Sequence, residues 1–307
     1  MTLSRRGLLL AAPGLLTACL HPGARPDLVD AFSAERQRTV LPQGFPVLAL
    51  YETGSETLGF VAANHTVDPR SMTFRTIRFA LETVRPKLVV LEGFPTALGV
   101  NPERIVRQAR RSGAADANAF ERGEAAFAAG LALGGGTPFV GGEPTDAELA
   151  RKLVAAGFSQ DDVFFSSLYG PLGQDFKSGA FSGPAEPGFE RSFRRWAGEI
   201  ARELGRSTPW VQAFRDWHQA AYGVALEDDP IWWERDGPGR PGKAGQISRL
   251  QTLLRDRHLH TVLVDAVGRH RRVLTVYGGS HLSTLWRSLE AVMGSPRLMR
   301  PPAVSPA

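Results

Sequence analysis

A histidine or a glutamate follows each of four apolar stretches of the sequence. His65 follows TLGFVAAN, Glu92 follows KLVVL, Glu143 follows TPFVGG, and His281 follows VLTVYGGS. If each stretch is a strand of one open α/β sheet, these side chains meet in the crevice beyond the carboxyl ends of the strands. Two imidazoles and two carboxylates in one crevice predict either a divalent-metal site or an acid–base site.

Each of these residues also has a purely structural interpretation. A histidine at a strand end is often hydrogen-bonded within the fold, and a glutamate after a buried strand often caps a helix. The recurrence of the placement after four strands favours a functional site. Gly278 and Gly279 predict a sharp turn that puts His281 at a helix start, where the helix dipole keeps the imidazole neutral and able to bind a metal.

The elements that must position these residues follow from the apolar periodicity. Strands separated by a Gly-Ser turn predict a β-hairpin, and Thr145 with Glu148 predicts a capped helix through about residue 156. The alternation of strands and helices predicts an α/β fold with a mostly parallel central sheet and helices on both faces. The predicted strands are 46–54, 57–65, 87–95, 137–146 and 272–277, and the predicted helices near them are 71–86, two within 101–133, and 281–293.

A largely helical insertion is predicted over about 157–268, before the last predicted strand, within a single domain spanning 45–293. Its Gly/Pro-rich interruptions, 170–188 and 228–246, are interpreted as lids or binding loops, with disorder as the alternative. Trp232 and Trp233 in the second interruption either close over an apolar ligand, touch a membrane surface, or anchor the loop on the core.

The other histidines are weaker candidates. His258 and His260 are two residues apart on a predicted helix, so their side chains point in different directions and a shared metal is not expected. His218 lies among aromatic residues, and core packing is the preferred interpretation over the wall of a ligand pocket. The sequence contains no GxSxG, HExxH or phosphate-binding loop motif, which weakens serine-hydrolase, zincin and nucleotide-binding interpretations.

The N-terminal residues are typical of a bacterial export signal. Residues 1–18 combine Arg5 and Arg6 with an apolar run too short to span a bilayer. Leu16–Cys19 resembles a lipobox, and Cys19 is the only cysteine of the chain, so we expect lipidation of Cys19 and attachment to the membrane. The alternatives are a soluble secreted protein or an incidental cysteine. Ser4–Leu9 also resembles a twin-arginine signal.

These segments predict a protein of the bacterial cell envelope that faces the periplasm or the exterior. Residues 19–44 are interpreted as the lipidated cysteine and a tether, and residues 294–307 as a disordered tail. The net charge of +5 comes from scattered arginines, and no zinc-finger or RNA-binding motif accompanies it. Nucleic acid is therefore not an expected partner.

Four blocks of the sequence together resemble the TraB/Tiki superfamily, which is grouped with ChaN haem-uptake proteins and erythromycin-esterase-like proteins. They are AANHTVDPRS, VVLEGFP, RDRHL and VLTVYGGSHL. Gly278–His281 matches the family's GxxH motif fully, whereas Ala62 replaces the glycine of the first one. Arg255-Asp256 matches the helical Arg-Asn/Asp motif, and Glu92 matches the family glutamate, with Glu143 a looser match.

The resemblance implies an α/β fold with these motifs in one cleft, and either metal-dependent peptidase or esterase activity or, as in ChaN-like members, haem binding. His65, His281 and Glu92 would be ligands of Mn, Co or Zn. Glu92 and Glu143 would be catalytic carboxylates, and Arg255 would stabilise developing negative charge. A lipid-anchored hydrolase of peptides or esters is the first hypothesis. A haem-binding or apolar-ligand-binding lipoprotein and a structural lipoprotein with a decayed site are the alternatives.

Overall fold

A computed structural model describes residues 24–118 and 121–302 of the chain. The predicted signal peptide and Cys19 lie outside the described residues. No helix within those two ranges is long and apolar enough to cross a membrane.

The described residues form one six-stranded mixed sheet with the strand order β4-β3-β5-β2-β1-β6. The pairs β2–β5, β5–β3 and β3–β4 are parallel, whereas β1 is antiparallel to both β2 and β6. This arrangement confirms the predicted α/β fold with a mostly parallel sheet and a β-hairpin. The strands are β1 Val47–Thr53, β2 Glu56–Ala63, β3 Leu88–Pro95, β4 Phe139–Glu143, β5 Arg272–Gly278 and β6 Arg297–Met299.

Helices cover both faces of the sheet. They are α1 Ala34–Val40, α2 Met72–Val84, α3 Glu103–Arg111, α4 Glu124–Gly134, α5 Asp146–Ala155, α6 Gln160–Lys177, α7 Pro187–Glu203, α8 Val211–Tyr222, α9 Lys243–His270 and α10 Gly279–Met293. The predicted capping box is present at α5, where Thr145 accepts from the Glu148 N–H and Glu148 accepts from the Thr145 N–H.

The inner strands are apolar along most of their length because each face of the sheet is buried. In β1, Val47, Ala49 and Tyr51 pack in a core shared with α9 and α10. Leu48 and Leu50 point to the other face, where they pack in a core shared with α2, α3 and α4. This burial on two faces is the physical cause of the continuous apolar runs in the sequence.

The helical insertion has a core of its own, built from aromatic side chains of α6, α7 and α8. The predicted loop 170–188 is helical at both ends, since residues 170–177 continue α6 through Pro171 and α7 begins at Pro187. Trp232 is 2% exposed and stacks on Phe181, so it anchors the second loop on this core.

His218 is fully buried in the same core and makes a 2.6 Å hydrogen bond to the Tyr169 hydroxyl, as the core-packing interpretation predicts.

Both ends of the described chain differ from the predicted tether and tail. Val29 and Leu41 are buried in the core beneath α10, and the Arg25 N–H donates to His260 Nε2 at 2.9 Å. At the other end, β6 pairs with β1 inside the predicted disordered tail. Buried apolar side chains attach the N-terminal segment to the core. The C-terminal segment is ordered because β6 pairs with the edge of β1 that would otherwise be unpaired.

We predict that Leu41→Ala destabilises the mature chain without its lipidated cysteine (residues 20–307) by about 2–4 kcal/mol, because it leaves a cavity in the core. Urea unfolding would measure this loss. Val154→Ala, a partly exposed apolar truncation on α5, is the matched control and should change the free energy of unfolding by less than about 1 kcal/mol. Equal effects of the two substitutions would show that residues 26–41 are only a tether.

Candidate functional site

The carboxyl ends of β2, β3 and β5 bring the predicted residues together. Ala63 pairs with Gly278 in register, so the two GxxH-like segments leave neighbouring strands side by side. The pairing of β3 with β4 shifts after Leu91, and Gly93 adopts a φ of 94° that favours glycine. This irregularity presents Glu92 at the same edge of the sheet.

His281 is buried between two carboxylates. Its Nδ1 hydrogen-bonds Asp256 Oδ1, and its Nε2 lies 3.4 Å from Glu92 Oε1. Asp256 is fully buried and also accepts from the Thr284 hydroxyl at 2.6 Å. Burial alone lowers the pKa of His281, but Asp256 and Glu92 outweigh it and raise the pKa to about 10. The prediction of a neutral His281 is therefore wrong for the metal-free protein, because the carboxylates outweigh the helix dipole.

Glu92 is held in its ionised form at the centre of the site. Its Oε2 accepts a 2.6 Å hydrogen bond from the Gly278 N–H, and its Oε1 lies 3.6 Å from Arg255 Nη2. Burial by itself raises the pKa of Glu92, but the hydrogen bonds and charge of His281, with Gly278 and Arg255, bring it to about 2.

His65 reaches the same point from the solvent side. Its Nδ1 lies 2.5 Å from Glu124 Oε1, and its side chain is 69% exposed. The hydrogen bond to Glu124 raises the pKa of His65. The ring turns its Nε2 toward Gly278, where Glu92 Oε2 also lies. His65 and His281 thus approach Glu92 from two sides.

The two glycines of the second motif are required for close packing. A Cβ at Gly278 would lie 2.8 Å from His65 Nε2, and one at Gly279 would lie 2.2 Å from the Phe45 ring. Neither residue has a positive φ. The predicted sharp turn is therefore not the reason for these glycines, which make room for the His65 and Phe45 rings. Ala62, which replaces the glycine of the first motif, is a buried residue of β2 paired with Tyr277 of β5.

Arg255 and Glu143 form a bidentate ion pair beside Glu92. Arg255 Nε and Nη2 each donate to a Glu143 oxygen at 2.7 Å. Burial opposes the charge of Arg255, but Glu143 outweighs it and raises the pKa of the guanidinium. Both oxygens of Glu143 are occupied, so Glu143 positions Arg255 and is not free to act as a base. This differs from its predicted catalytic role.

The site opens into a cleft of 570 Å³ lined by the ends of β2 and β3 and the start of α4, including His65, Glu92 and Glu124. Gly93 also lines a recess of 230 Å³ that contains Glu143 and Arg255. Four of the predicted residues, His65, Glu92, Glu143 and Arg255, therefore line two adjoining cavities at the carboxyl edge of the sheet, and His281 is buried behind them.

The side chains around Glu92 are chemically suited to a divalent cation. Each histidine uses Nδ1 to bind a carboxylate, which leaves Nε2 as the ligand atom. Histidines that bind metals usually have such a carboxylate on the other ring nitrogen, where it fixes the direction of the ring. Glu92 supplies a carboxylate that stays ionised. Within residues 24–118 and 121–302, no three His, Cys, Asp or Glu side chains are already arranged to hold a metal. Metal uptake would require His281 to lose its Nε2 proton.

Sequence reasoning did not foresee the two carboxylates that orient the histidines. Asp256 was matched to the helical Arg-Asn/Asp motif together with Arg255, but no contact with His281 was predicted for it. Glu124 has no local signal beyond being an acid at the start of an alanine-rich helix, 9% exposed. His258 and His260 do not share a ligand position, since His258 contacts Thr96 and His260 accepts from Arg25.

Comparisons with known protein families, with curated proteins and with solved structures found no match for this chain.

We predict that Asp256→Asn flattens the pH dependence of stability in the metal-free protein. A folded-state pKa of about 10 for His281, above its ordinary 6.5, stabilises the fold fully below pH 6.5 and loses that contribution as the pH rises through 10. The free energy of unfolding should therefore fall between pH 6.5 and 10 in the wild type and fall less in Asp256→Asn. Urea unfolding in the presence of a chelator would measure both.

The matched control is Asp265→Asn, a partly exposed aspartate on the same helix that pairs with Arg269. It should keep the wild-type pH dependence. An Asp256→Asn variant whose stability falls as steeply as that of the wild type would contradict the assigned His281–Asp256 pair.

Proposed function

We propose that this chain is a lipid-anchored, metal-dependent hydrolase of the TraB/Tiki type that acts on a peptide or an ester bond. The observation that carries the proposal is the approach of two carboxylate-oriented histidines, His65 and His281, to one ionised carboxylate, Glu92, in an open cleft. This is the donor set that the resemblance implies for the metal.

Glu92 suits the role of metal ligand better than the role of general base. A base works best when its pKa is near the operating pH, and a carboxylate with a pKa of about 2 accepts protons weakly at neutral pH. The same low pKa keeps Glu92 negatively charged and ready to bind a cation. His65, His281 and Glu92 would therefore hold Mn, Co or Zn, which would polarise the scissile carbonyl and lower the pKa of a water.

The remaining residues act on the substrate or on each other. Arg255, fixed by Glu143, presents positive charge beside Glu92, where negative charge on a carbonyl oxygen would develop during hydrolysis. Glu124 and Asp256 hold the protons on the Nδ1 atoms of the two histidines and fix the direction of each ring.

Attachment to the membrane through a lipid on Cys19 is part of the same proposal, and so is a location in the bacterial cell envelope. The lipobox-like Leu16–Cys19 and the preceding export signal support it. The haem-binding alternative drew on tryptophans that close over the cleft. Trp232 and Trp233 instead pack with Phe176 in the insertion, so hydrolysis is the preferred function.

We predict that the mature chain, purified without chelator, contains near-stoichiometric Mn, Co or Zn, and that His65→Ala and His281→Ala each lose it, because each removes one ligand. Elemental analysis by mass spectrometry would measure the metal, and a screen of peptide and ester substrates would measure hydrolysis. The metal content and the rate of hydrolysis should fall together in the two variants.

The matched control is His270→Ala, at the opposite, amino-terminal end of β5, which should keep metal and activity. Iron with a Soret absorption band would favour the haem-binding alternative. Protein that takes up no metal, even after reconstitution, would contradict a metal-dependent hydrolase.

We also predict that Arg255→Lys lowers kcat about 100-fold while changing KM little, because lysine cannot keep the bidentate geometry that positions the charge. Steady-state kinetics on a substrate from the screen would separate the two constants. Arg269→Lys, on the same helix and paired with Asp265, is the control and should leave both constants unchanged. A kcat unaffected by Arg255→Lys would remove Arg255 from the reaction.

A further inference from the structure

A second pocket of 330 Å³ lies under the helical insertion, between α5, α6, α7 and α9. Its volume is at the lower end of the range for small-molecule pockets, about 300–1,000 Å³. Apolar side chains from these helices form much of its wall. They include Leu149, Leu153, Val163, Ile200 and Ile247. An alkyl chain that packed against this wall would be shielded from water.

Four carboxylates also line this pocket: Asp146, Glu199, Glu203 and Asp236. No Lys, Arg or His side chain lines it, and within the described ranges none of the four acids forms an ion pair. Burial raises the pKa of Asp236, and burial with the neighbouring Asp146 raises the pKa of Glu203. Asp146 and Glu199 disfavour the charge of Glu203, whereas Lys177 and Arg202 favour the charges of Asp236 and Glu203 without forming an ion pair with them. A positively charged ligand would supply the direct counter-ion that the pocket wall does not contain.

The pocket adjoins a recess of the candidate active site. The recess that contains Glu143 and Arg255 shares three lining residues with the pocket, namely Asp146, Leu149 and Gln251. The same recess shares Gly93 with the cleft of His65 and Glu92. A ligand that bridged these three neighbouring cavities would extend from His65 and Glu92, past Arg255, to the acidic pocket.

We propose that this pocket binds a protonated alkylamine, and that it is the subsite for a lysine-like side chain of the substrate. The binding of an alkylamine is inferred from the pocket itself, whereas its role as a substrate subsite rests on the proposed hydrolase function. The four carboxylates receive the ammonium group, and the apolar wall receives its alkyl chain. The substrate class is then peptides or esters that carry a primary amine on a short alkyl chain.

The binding test uses n-butylammonium as the probe, with n-butanol and ammonium ion as its neutral and chain-free counterparts. Binding to the full mature chain would be followed by NMR titration. We expect n-butylammonium to bind at least about tenfold more tightly than either counterpart, since a charged group adds its hydrogen bonds to the contacts of the alkyl chain. The double variant Glu199→Gln/Asp236→Asn should lose this preference.

The control is Glu190→Gln/Asp216→Asn, which removes the same charge from α7 and α8 outside the pocket and should keep the preference. Equal affinity for n-butylammonium and n-butanol, or an affinity for n-butylammonium that is unchanged in Glu199→Gln/Asp236→Asn, would overturn the assignment of the pocket as an amine site.

The subsite test compares hydrolysis of two esters, those of acetyl-lysine and acetyl-norleucine, whose side chains differ chiefly in the ammonium group. We expect the wild type and the control variant to favour the lysine ester by about tenfold in kcat/KM, and Glu199→Gln/Asp236→Asn to favour neither. Equal rates on both esters in the wild type would overturn the subsite. Amine binding with no hydrolysis of any substrate would overturn the proposed function and the subsite, while it supports the pocket as an amine site.

Discussion

The carboxylate of Asp256, buried completely within α9, is the constraint on which the site depends. A buried charge is costly unless it is paired and hydrogen-bonded, and here His281 and Thr284 of α10 supply both partners. The pairing fixes α10 against α9 and directs His281 at Glu92. From there a row of alternating charges runs through Arg255 to Glu143, and each member is held by its neighbours.

This row explains why the site combines rigid and accessible parts. Asp256, His281 and Glu143 are almost fully buried, so their positions are set by packing and by one another. His65 is mostly exposed and is held mainly by Glu124. A substrate would therefore meet one solvent-exposed histidine at the surface and a fixed set of buried side chains behind it, as expected of a pre-organised site.

The sheet and the residues at its carboxyl edge could be predicted from the sequence because both depend on local patterns. The apolar runs followed by His65, Glu92 and His281 indicated that these residues lie at the carboxyl ends of strands of one sheet. Glu124 and Asp256 could not be predicted as their partners, since the pairing depends on how α4 and α9 pack. Gly/Pro signals over 170–188 were misleading because burial of α6 stabilises the helix despite Pro171, which removes one backbone hydrogen bond.

The packing of the N-terminal segment also limits how far the domain could stand from a membrane. The Arg25 N–H is hydrogen-bonded to His260, and Val29 is buried, so the described chain is fixed to the domain from about residue 25 onward. If Cys19 carries the lipid, the peptide from Cys19 to Arg25 spans at most about 20 Å even when fully extended. The enzyme proposed here would then work close to the bilayer surface, and its substrates would have to come within that short radius.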